Sequence, residues 1–217
     1  MNHDQMIEKT KEYVKKNMEY GDVGHDWFHI ERVWKMARMI ANEEDANVLV
    51  VELGALLHDI ADWKFHGVGA GEAKTREWLE SLGLEDKVIK NVIHIVENIS
   101  FKGVAESEQM KTLEGKIVQD ADRLDAMGAI GVARAFAYVG FKNIPIHDPR
   151  VSIRENMTFK EYKNTATVGT GVNHFYEKLL LLKERMNTRT GKSLADERHK
   201  FMEIYLEQFF KETKEER

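Results

Sequence analysis

The stretch over residues 51–65, VELGALLHDIADWKF, constrains the fold of this chain more than any other. It begins as an apolar helix and becomes polar from His58 onward. On a helix, Val51, Ala55, His58 and Asp62 share one stripe, and a stripe that begins with valine and alanine points inward. A buried carboxylate is costly unless an ion pair, a hydrogen-bond network or a metal compensates for its lost hydration. The stretch therefore predicts a central helix that carries polar groups into a core or a cleft.

His58 and Asp59 form the first candidate site. They differ by roughly 100° around a helix axis, so both side chains can reach one ion that lies between them. A polar helix end that bonds to backbone has the same sequence, and for an isolated His-Asp pair we favour that interpretation. The function of the pair therefore depends on what the rest of the chain places beside it.

Composition excludes several classes of protein. The chain has no cysteine, which excludes disulfides and thiolate-bound zinc and is typical of a reducing cytoplasm. Lys+Arg number 32 against 37 Asp+Glu, and the net charge of −5 gives no general attraction to nucleic acid or to an acidic membrane. The charged N-terminus, MNHDQMIEKTKEYVKK, predicts no signal peptide, and no apolar run has the length of a membrane span. We therefore expect a cytoplasmic protein that binds neither nucleic acid nor a membrane.

Helical periodicity recurs along the chain, whereas no segment alternates as a strand does. At 217 residues the chain can bury a substantial core, and we expect one all-α domain over residues 1–217. Between 143 and 169 the pattern breaks down, which predicts a mobile excursion of the kind that forms lids or binding loops. The predicted helices lie at about 4–19, 26–42, 46–61, 72–82 and 85–98, in a helical region over about 111–140, and in a C-terminal pair at about 170–188 and 193–214 that the turn TRTGKS joins.

Two other predicted helices also direct polar groups inward. His29 shares an apolar stripe with Val33 and Ile40, just after the expected N-cap Asp26. Asp122 continues the apolar face that contains Val118. A lone histidine on such a stripe is more often a satisfied core residue than a ligand. Each candidate therefore needs support from the others.

Together the three helices supply two imidazoles and two carboxylates without a thiolate. This donor set suits a borderline-to-hard divalent ion. Mn²⁺ or Mg²⁺ is favoured, with Fe²⁺, Co²⁺, Ni²⁺ or Zn²⁺ as alternatives. Four protein ligands leave a tetrahedral zinc ion no place for water, so a six-coordinate ion is the better catalytic choice. The predicted ligands are His29, His58, Asp59 and Asp122.

The motifs HDWFHIERVW, LLHDIAD and QDADRLDAMGAIG resemble the signature of the HD-domain metal-dependent phosphohydrolases. The likeness extends along most of the chain and is to the small, stand-alone bacterial type. It implies an all-α bundle with one ion at its centre, held by the four ligands above, with Asp122 as the last ligand rather than Asp120. Dinuclear members have two further histidines between the HD pair and the last aspartate. Here only His66 and His94 lie in that interval, and His66 follows the pair too closely, which favours one metal.

The resemblance also implies functional roles for residues near the ligands. The family places an acidic residue three positions after the HD aspartate to orient or deprotonate water, which is Asp62 here; support of His58 is the alternative. Phosphate charge requires cations, which the two arginines and the lysine close to the ligands can supply, although each can equally be a surface or ion-pair residue. His174 and Lys178 can close the far wall of the pocket or serve packing, and His94 can face the same cleft or lie in the core. These candidates are Arg32, Arg123, Lys64, His94, His174 and Lys178.

The expected activity is hydrolysis of a phosphoester or phosphoanhydride bond in a small, nucleotide-like substrate. By resemblance we favour a nucleoside triphosphate, cleaved to monophosphate and pyrophosphate. A 5′-nucleotidase, a cyclic-nucleotide or alarmone hydrolase, and a non-catalytic nucleotide-sensing module are the alternatives. A homodimer is an open alternative for the state of assembly.

Overall fold

The computed structural model of the chain describes residues 1–17, 26–60, 70–99, 110–154 and 169–214. Every regular element in these ranges is helical and none is a strand, which confirms the predicted all-α class. The α-helices in chain order are α1 (His3–Asn17), α2 (Trp27–Glu43), α3 (Val48–Leu57), α4 (Ala70–Ser81), α5 (Asp86–Asn98), α6 (Leu113–Asp125), α7 (Gly128–Phe141), α8 (Gly171–His174) and α9 (Arg189–Thr213).

Side-chain caps fix where the two central helices begin. The carboxylate of Asp26 accepts a hydrogen bond from the backbone N–H of His29 at 2.8 Å, which confirms the predicted N-cap of α2. Asn47 caps α3 in the same way by accepting from the N–H of Val50. Such caps satisfy N–H groups that have no partner inside the helix. His29 is therefore held in the first turn of α2.

The chain divides into two compact units, the first of which contains the described residues up to 99 and those from 110 to 122. Helix α3 lies at its centre, where it packs against α1, α2 and α5. All residues from Val50 to Leu57 are buried, as the apolar stretch predicts. A Cβ on Gly54 would lie 2.9 Å from the Cδ1 atom of Ile95, so glycine at this position allows the close approach of α3 and α5.

One buried carboxylate in α3 has a structural explanation. Glu52 is 3% exposed and accepts a hydrogen bond from the indole N–H of Trp34 at 2.9 Å. Its second oxygen contacts Nε2 of His3 at 2.5 Å, which joins α1 to α3. Because a buried carboxylate is tolerated when such partners surround it, Glu52 serves packing of the first unit rather than a site.

The second unit contains residues 123–154 and 169–214 of the described chain. Helix α9 packs against α7 and against the segment that precedes α9. An aromatic cluster of Phe136, Phe175, Tyr205 and Phe209 fills part of this unit, with ring centroids 5.8–6.4 Å apart between neighbours. The expectation of a single domain stays a prediction.

The C-terminal helices differ from their predicted boundaries. The predicted helix at 170–188 is instead the single turn α8, a π-helical turn (Phe175–Leu179) and a 3₁₀ segment (Leu180–Arg185). The predicted turn TRTGKS is wrong, because α9 already begins at Arg189. The hydroxyl of Thr188 accepts from the N–H of Gly191 at 2.9 Å and so caps α9 inside that sequence.

The described part of the 143–169 excursion is non-helical and is connected to the second unit by backbone hydrogen bonds. The carbonyls of Pro145 and Ile146 accept from the N–H groups of Gly171 and Val172 at 3.0 and 2.9 Å. Residues 155–168 lie outside the described residues, so the predicted lid or binding role of the excursion stays a prediction.

Within the described ranges no single helix is long and apolar enough to cross a membrane. Helices α6 and α7 meet the length and composition criteria only when they are taken together as a bent pair.

Candidate metal centre

The four predicted metal ligands all belong to the first unit and come from α2, from the residues that follow α3, and from α6. His29 lies in the first turn of α2 and is fully buried. His58 and Asp59 follow the last residue of α3, because the helix ends at Leu57 rather than at the predicted position 61. His58 keeps helical backbone angles (φ −59°, ψ −31°), so its side chain continues the buried stripe of α3 as predicted. Asp122 lies near the end of α6.

The structure brings the ligand-type atoms of these residues to one place. Oδ2 of Asp59 lies 3.6 Å from Nε2 of His29 and 3.6 Å from Nε2 of His58. Oδ1 of Asp122 lies 3.6 and 4.0 Å from the same two nitrogens. The two imidazole rings meet edge to face, with centroids 5.3 Å apart. His29, His58 and Asp59 thereby form a group in which all ligand atoms lie within 4.8 Å of one another.

These spacings fit one divalent ion. Ligands about 2.1 Å from a common ion are about 3.0 Å apart at a right angle and about 4.2 Å apart when they are opposite. The observed separations of 3.6–4.0 Å fall between those limits. The side chains of Asp59 and Asp122 are 14% and 34% exposed, whereas both imidazoles are 1% exposed. The centre is therefore closed on the histidine side and open towards the carboxylates.

The tautomer of His58 suits a metal ligand. Its Nδ1–H donates to the carbonyl oxygen of Ala55 at 2.7 Å, which leaves the lone pair on Nε2. Nε2 is buried, and no residue in the described chain forms a hydrogen bond with it. A buried imidazole nitrogen without a hydrogen bond is uncommon in proteins, and a bound cation would satisfy it. The donor set and this nitrogen together fit a divalent ion.

His94 has the opposite tautomer. The side-chain amide of Asn98 donates to the carbonyl of His94 at 2.8 Å, which fixes the amide orientation, and the same amide lies 3.1 Å from Nδ1. Since an amide N–H₂ can only donate, Nδ1 accepts and the proton lies on Nε2. This Nε2–H is buried and has no hydrogen-bond partner in the described chain. In this tautomer Nε2 of His94 can donate a hydrogen bond but has no lone pair for a metal.

The predicted base and one of the predicted cations cannot be placed. Asp62 and Lys64 lie in 61–69, outside the described residues, so their roles stay predictions. Arg32 is half-buried on α2, one turn after Phe28 and three residues after His29. Its predicted contact with phosphate stays a prediction.

The remaining predicted substrate contacts belong to the second unit. The guanidinium of Arg123 donates to the carbonyl of Arg185, at the end of the 3₁₀ segment. His174 and Lys178 lie at the junction of α8 and the π-helical turn. The pKa of His174 is lowered from 6.5 to about 3. The larger cause is burial of the imidazole, and the positive charges of Lys178 and Arg154 add to it. His174 is therefore a neutral imidazole at physiological pH.

Two supporting residues are absent from the sequence-based prediction of the site. The Ala55 carbonyl orients His58, and the Asn98 amide sets the tautomer of His94. Their positions could have indicated these contacts, because Ala55 lies three residues from His58 and Asn98 lies four residues from His94, the spacings that bring residues together on one helix face. The identity of the bonded atoms was needed to recognise them.

A family model and a bacterial relative both match the part of the chain that contains the candidate centre. The family model described as HD domain matches residues 27–127, which contain all four ligands. The protein YpgQ of Bacillus subtilis is 35% identical over 207 residues, which are 94% of this chain and 92% of that protein.

Solved structures resemble the chain over almost its whole length. A protein from Lactobacillus plantarum superposes with a TM-score of 0.86 at 34% identity, covering 99% of both chains. An HD-superfamily hydrolase from Bacillus thuringiensis gives 0.78 at 42% identity, covering 99% of this chain and 100% of that one. Bacillus subtilis YpgQ in complex with ADP gives 0.78 at 33% identity, covering 98% and 97%.

Proposed function

The chain belongs to the HD-domain family of hydrolases, and from that premise we propose that it is a metal-dependent phosphohydrolase acting on a nucleotide. The observation that carries the proposal is the grouping of two imidazole nitrogens and the Asp59 carboxylate within 4.8 Å of one another, with an Asp122 oxygen 3.6 and 4.0 Å from the two nitrogens. Two carboxylates in one partly exposed cluster are unfavourable unless a cation shares the site. Such a cation also attracts the phosphate groups of a substrate.

Each residue of the centre has a distinct task in this proposal. His29 and His58 supply neutral nitrogen ligands, and Asp59 and Asp122 supply the charge that a divalent ion requires. When bound, the ion polarises a phosphoryl oxygen and makes water more acidic. We propose that Asp62 orients this water or accepts its proton, and that Arg32 binds phosphate oxygens through its planar fork of N–H groups.

We propose a nucleoside triphosphate as substrate, with monophosphate and pyrophosphate as products. The support is the sequence likeness to small stand-alone bacterial HD hydrolases, together with the ADP complex of YpgQ, which is similar to this chain from end to end. Mn²⁺ or Mg²⁺ is our proposed ion, because four protein ligands of N and O type leave open positions only on an ion with more than four ligands.

A hydrolysis screen of divalent metals against phosphorylated substrates, with identification of the products, tests the proposal. Pyrophosphate from a triphosphate supports it, whereas orthophosphate from a monophosphate identifies a 5′-nucleotidase. Opening of a cyclic nucleotide or cleavage of an alarmone identifies the other hydrolase alternatives. If the metal and a nucleotide both bind but no substrate is hydrolysed, the chain is a non-catalytic nucleotide-sensing module.

A matched pair of variants shows whether any activity arises at this centre. Asp59→Asn removes a proposed ligand, whereas Asp120→Asn changes a fully buried aspartate two residues before Asp122 on α6. Activity should disappear in the first variant and persist in the folded fraction of the second. Full activity in Asp59→Asn would assign the hydrolysis to a contaminant or to another site.

A further inference from the structure

Phe28 directly precedes the proposed metal ligand His29 in the chain and is largely exposed. It is 63% exposed, whereas its chain neighbour His29 is fully buried. Single exposed apolar residues are common, so exposure alone indicates nothing. The position of Phe28 is informative, because it directly precedes a proposed metal ligand in the first turn of α2.

The neighbouring Trp27 differs from Phe28 because a cation lies over its ring. The ammonium of Lys15 lies 4.4 Å from the ring centroid of Trp27. Among the described residues no second ring or cation stacks on Phe28. Phe28 and Arg32 are four residues apart, so their side chains share one face of α2, one turn from each other.

We propose that Phe28 is the stacking platform for the nucleobase of the substrate. This inference rests on the proposed nucleotide hydrolysis and specifies how the organic part of the substrate is bound. In a nucleotide, one ribose separates the base from the phosphates. Phe28 and Arg32 lie about 6 Å apart along one face of α2, so a nucleotide whose phosphates contact Arg32 brings its base within reach of Phe28.

The proposal also predicts how selective the protein is between nucleobases. Every nucleobase has a π-face, so stacking on an aromatic ring retains affinity across bases and favours the larger purine rings. Selection between bases requires hydrogen bonds to their edges, which a phenylalanine cannot supply. The expected substrate class is therefore nucleotides of any base, with purines preferred.

Equilibrium binding of two probes to the Mn²⁺-loaded protein separates base contact from phosphate contact. ADP has a base, whereas inorganic pyrophosphate has the same phosphoanhydride without one. Phe28→Ala should weaken ADP binding about tenfold, within the range known for bases stacked on aromatic side chains, and leave pyrophosphate binding unchanged. Phe28→Trp should retain or strengthen ADP binding, and Phe28→Leu should behave like Phe28→Ala.

Met39→Ala is the matched control, since Met39 is a 39% exposed apolar residue on the same face of α2, about 16 Å along the axis from Phe28. Met39→Ala should leave the binding of both ADP and pyrophosphate unchanged. Unchanged ADP binding in Phe28→Ala overturns the stacking proposal. Equal weakening of both probes also overturns it, because the ring would then support the metal centre instead.

The wild-type protein distinguishes failure of this inference from failure of the proposed function. A protein that binds pyrophosphate but not ADP overturns base stacking and leaves phosphate hydrolysis standing. A protein that binds neither probe overturns the proposed function and the stacking together.

Discussion

Asp59→Asn should separate metal binding from folding, because asparagine keeps the shape of the side chain and removes its charge. Oδ2 of Asp59 lies 3.6 Å from Nε2 of His29, and Asp122 approaches the same nitrogen to 3.6 Å. Two carboxylates share this cluster, and like charges at one site are unfavourable unless a cation compensates for them. We therefore expect the metal-free variant to be as stable as the wild type or slightly more stable, and to bind the ion far more weakly.

The size of the effect follows from the linkage between metal binding and folding. An ion present at a hundred times its dissociation constant stabilises the folded state by about 2.7 kcal/mol. For a chain of this length each kcal/mol shifts the melting temperature by about 2–4 °C, so Mn²⁺ should raise the wild-type Tm by about 5–10 °C. A hundredfold loss of affinity leaves about 0.4 kcal/mol at the same ion concentration, which corresponds to a rise of about 1 °C.

Thermal unfolding with and without Mn²⁺, together with the metal content after dialysis, measures both quantities. Asp120→Asn is the control: its buried carboxylate is 0% exposed, so the metal-free protein should lose about 1–3 kcal/mol while the metal-induced shift persists. A wild-type metal shift in Asp59→Asn would remove Asp59 from the ligand set. A metal-free Asp59→Asn protein that melts several degrees below the wild type would make the carboxylate a structural group.

Three further changes test the roles around the centre. Asp62→Asn should keep the bound ion and lower kcat by about 10²–10⁴-fold, because an amide cannot accept a proton; joint loss of metal and rate would make Asp62 a support of His58. Arg32→Lys should lower kcat/KM by about 10- to 100-fold with normal metal content, because lysine lacks the two-pronged donor, and unchanged kinetics on every active substrate would make Arg32 a surface residue. His174→Gln should reduce the loss of stability on acidification. The pKa of this imidazole is about 3 in the folded protein and about 6.5 in the unfolded chain. The unfolded wild-type chain therefore binds the proton first, and the free energy of unfolding falls as the pH drops from about 6.5 towards 3. Parallel pH profiles of the two proteins, measured by denaturant unfolding of metal-free samples, would exclude that role for His174.

The parts of the structure that the sequence predicted well are those that local patterns decide. Asp26 lies three residues before His29 with a side chain that can cap a helix, so the start of α2 could be predicted from spacing alone. The stretch of α3 has Glu52 as its only polar side chain, so its central position was equally predictable. The inward direction of His58 followed from the same helical period.

The parts that could not be predicted depend on contacts between distant segments. The interruption of the helix after His174 occurs where Glu177, nearly fully buried, accepts two hydrogen bonds from the guanidinium of Arg154 and one from its backbone N–H. Asn173 likewise donates to the carbonyls of Val151 and Ser152. These bonds connect the helix to a loop more than 20 residues earlier. The hydrophobic pattern over 170–188 has the helical period throughout, so it does not predict these hydrogen bonds.

The opposite tautomers of His58 and His94 show how one local contact decides the chemistry of an imidazole. Both histidines lie in the first unit, His58 directly after α3 and His94 on α5, which packs against α3, and both have a buried Nε2. In His58 a backbone carbonyl three residues earlier accepts from Nδ1–H and leaves Nε2 as an electron-pair donor to a cation. In His94 the amide of Asn98 donates to Nδ1, so that Nε2 has the proton and suits an anionic oxygen instead. The partner of each Nδ1 atom therefore decides whether Nε2 offers a lone pair or a proton.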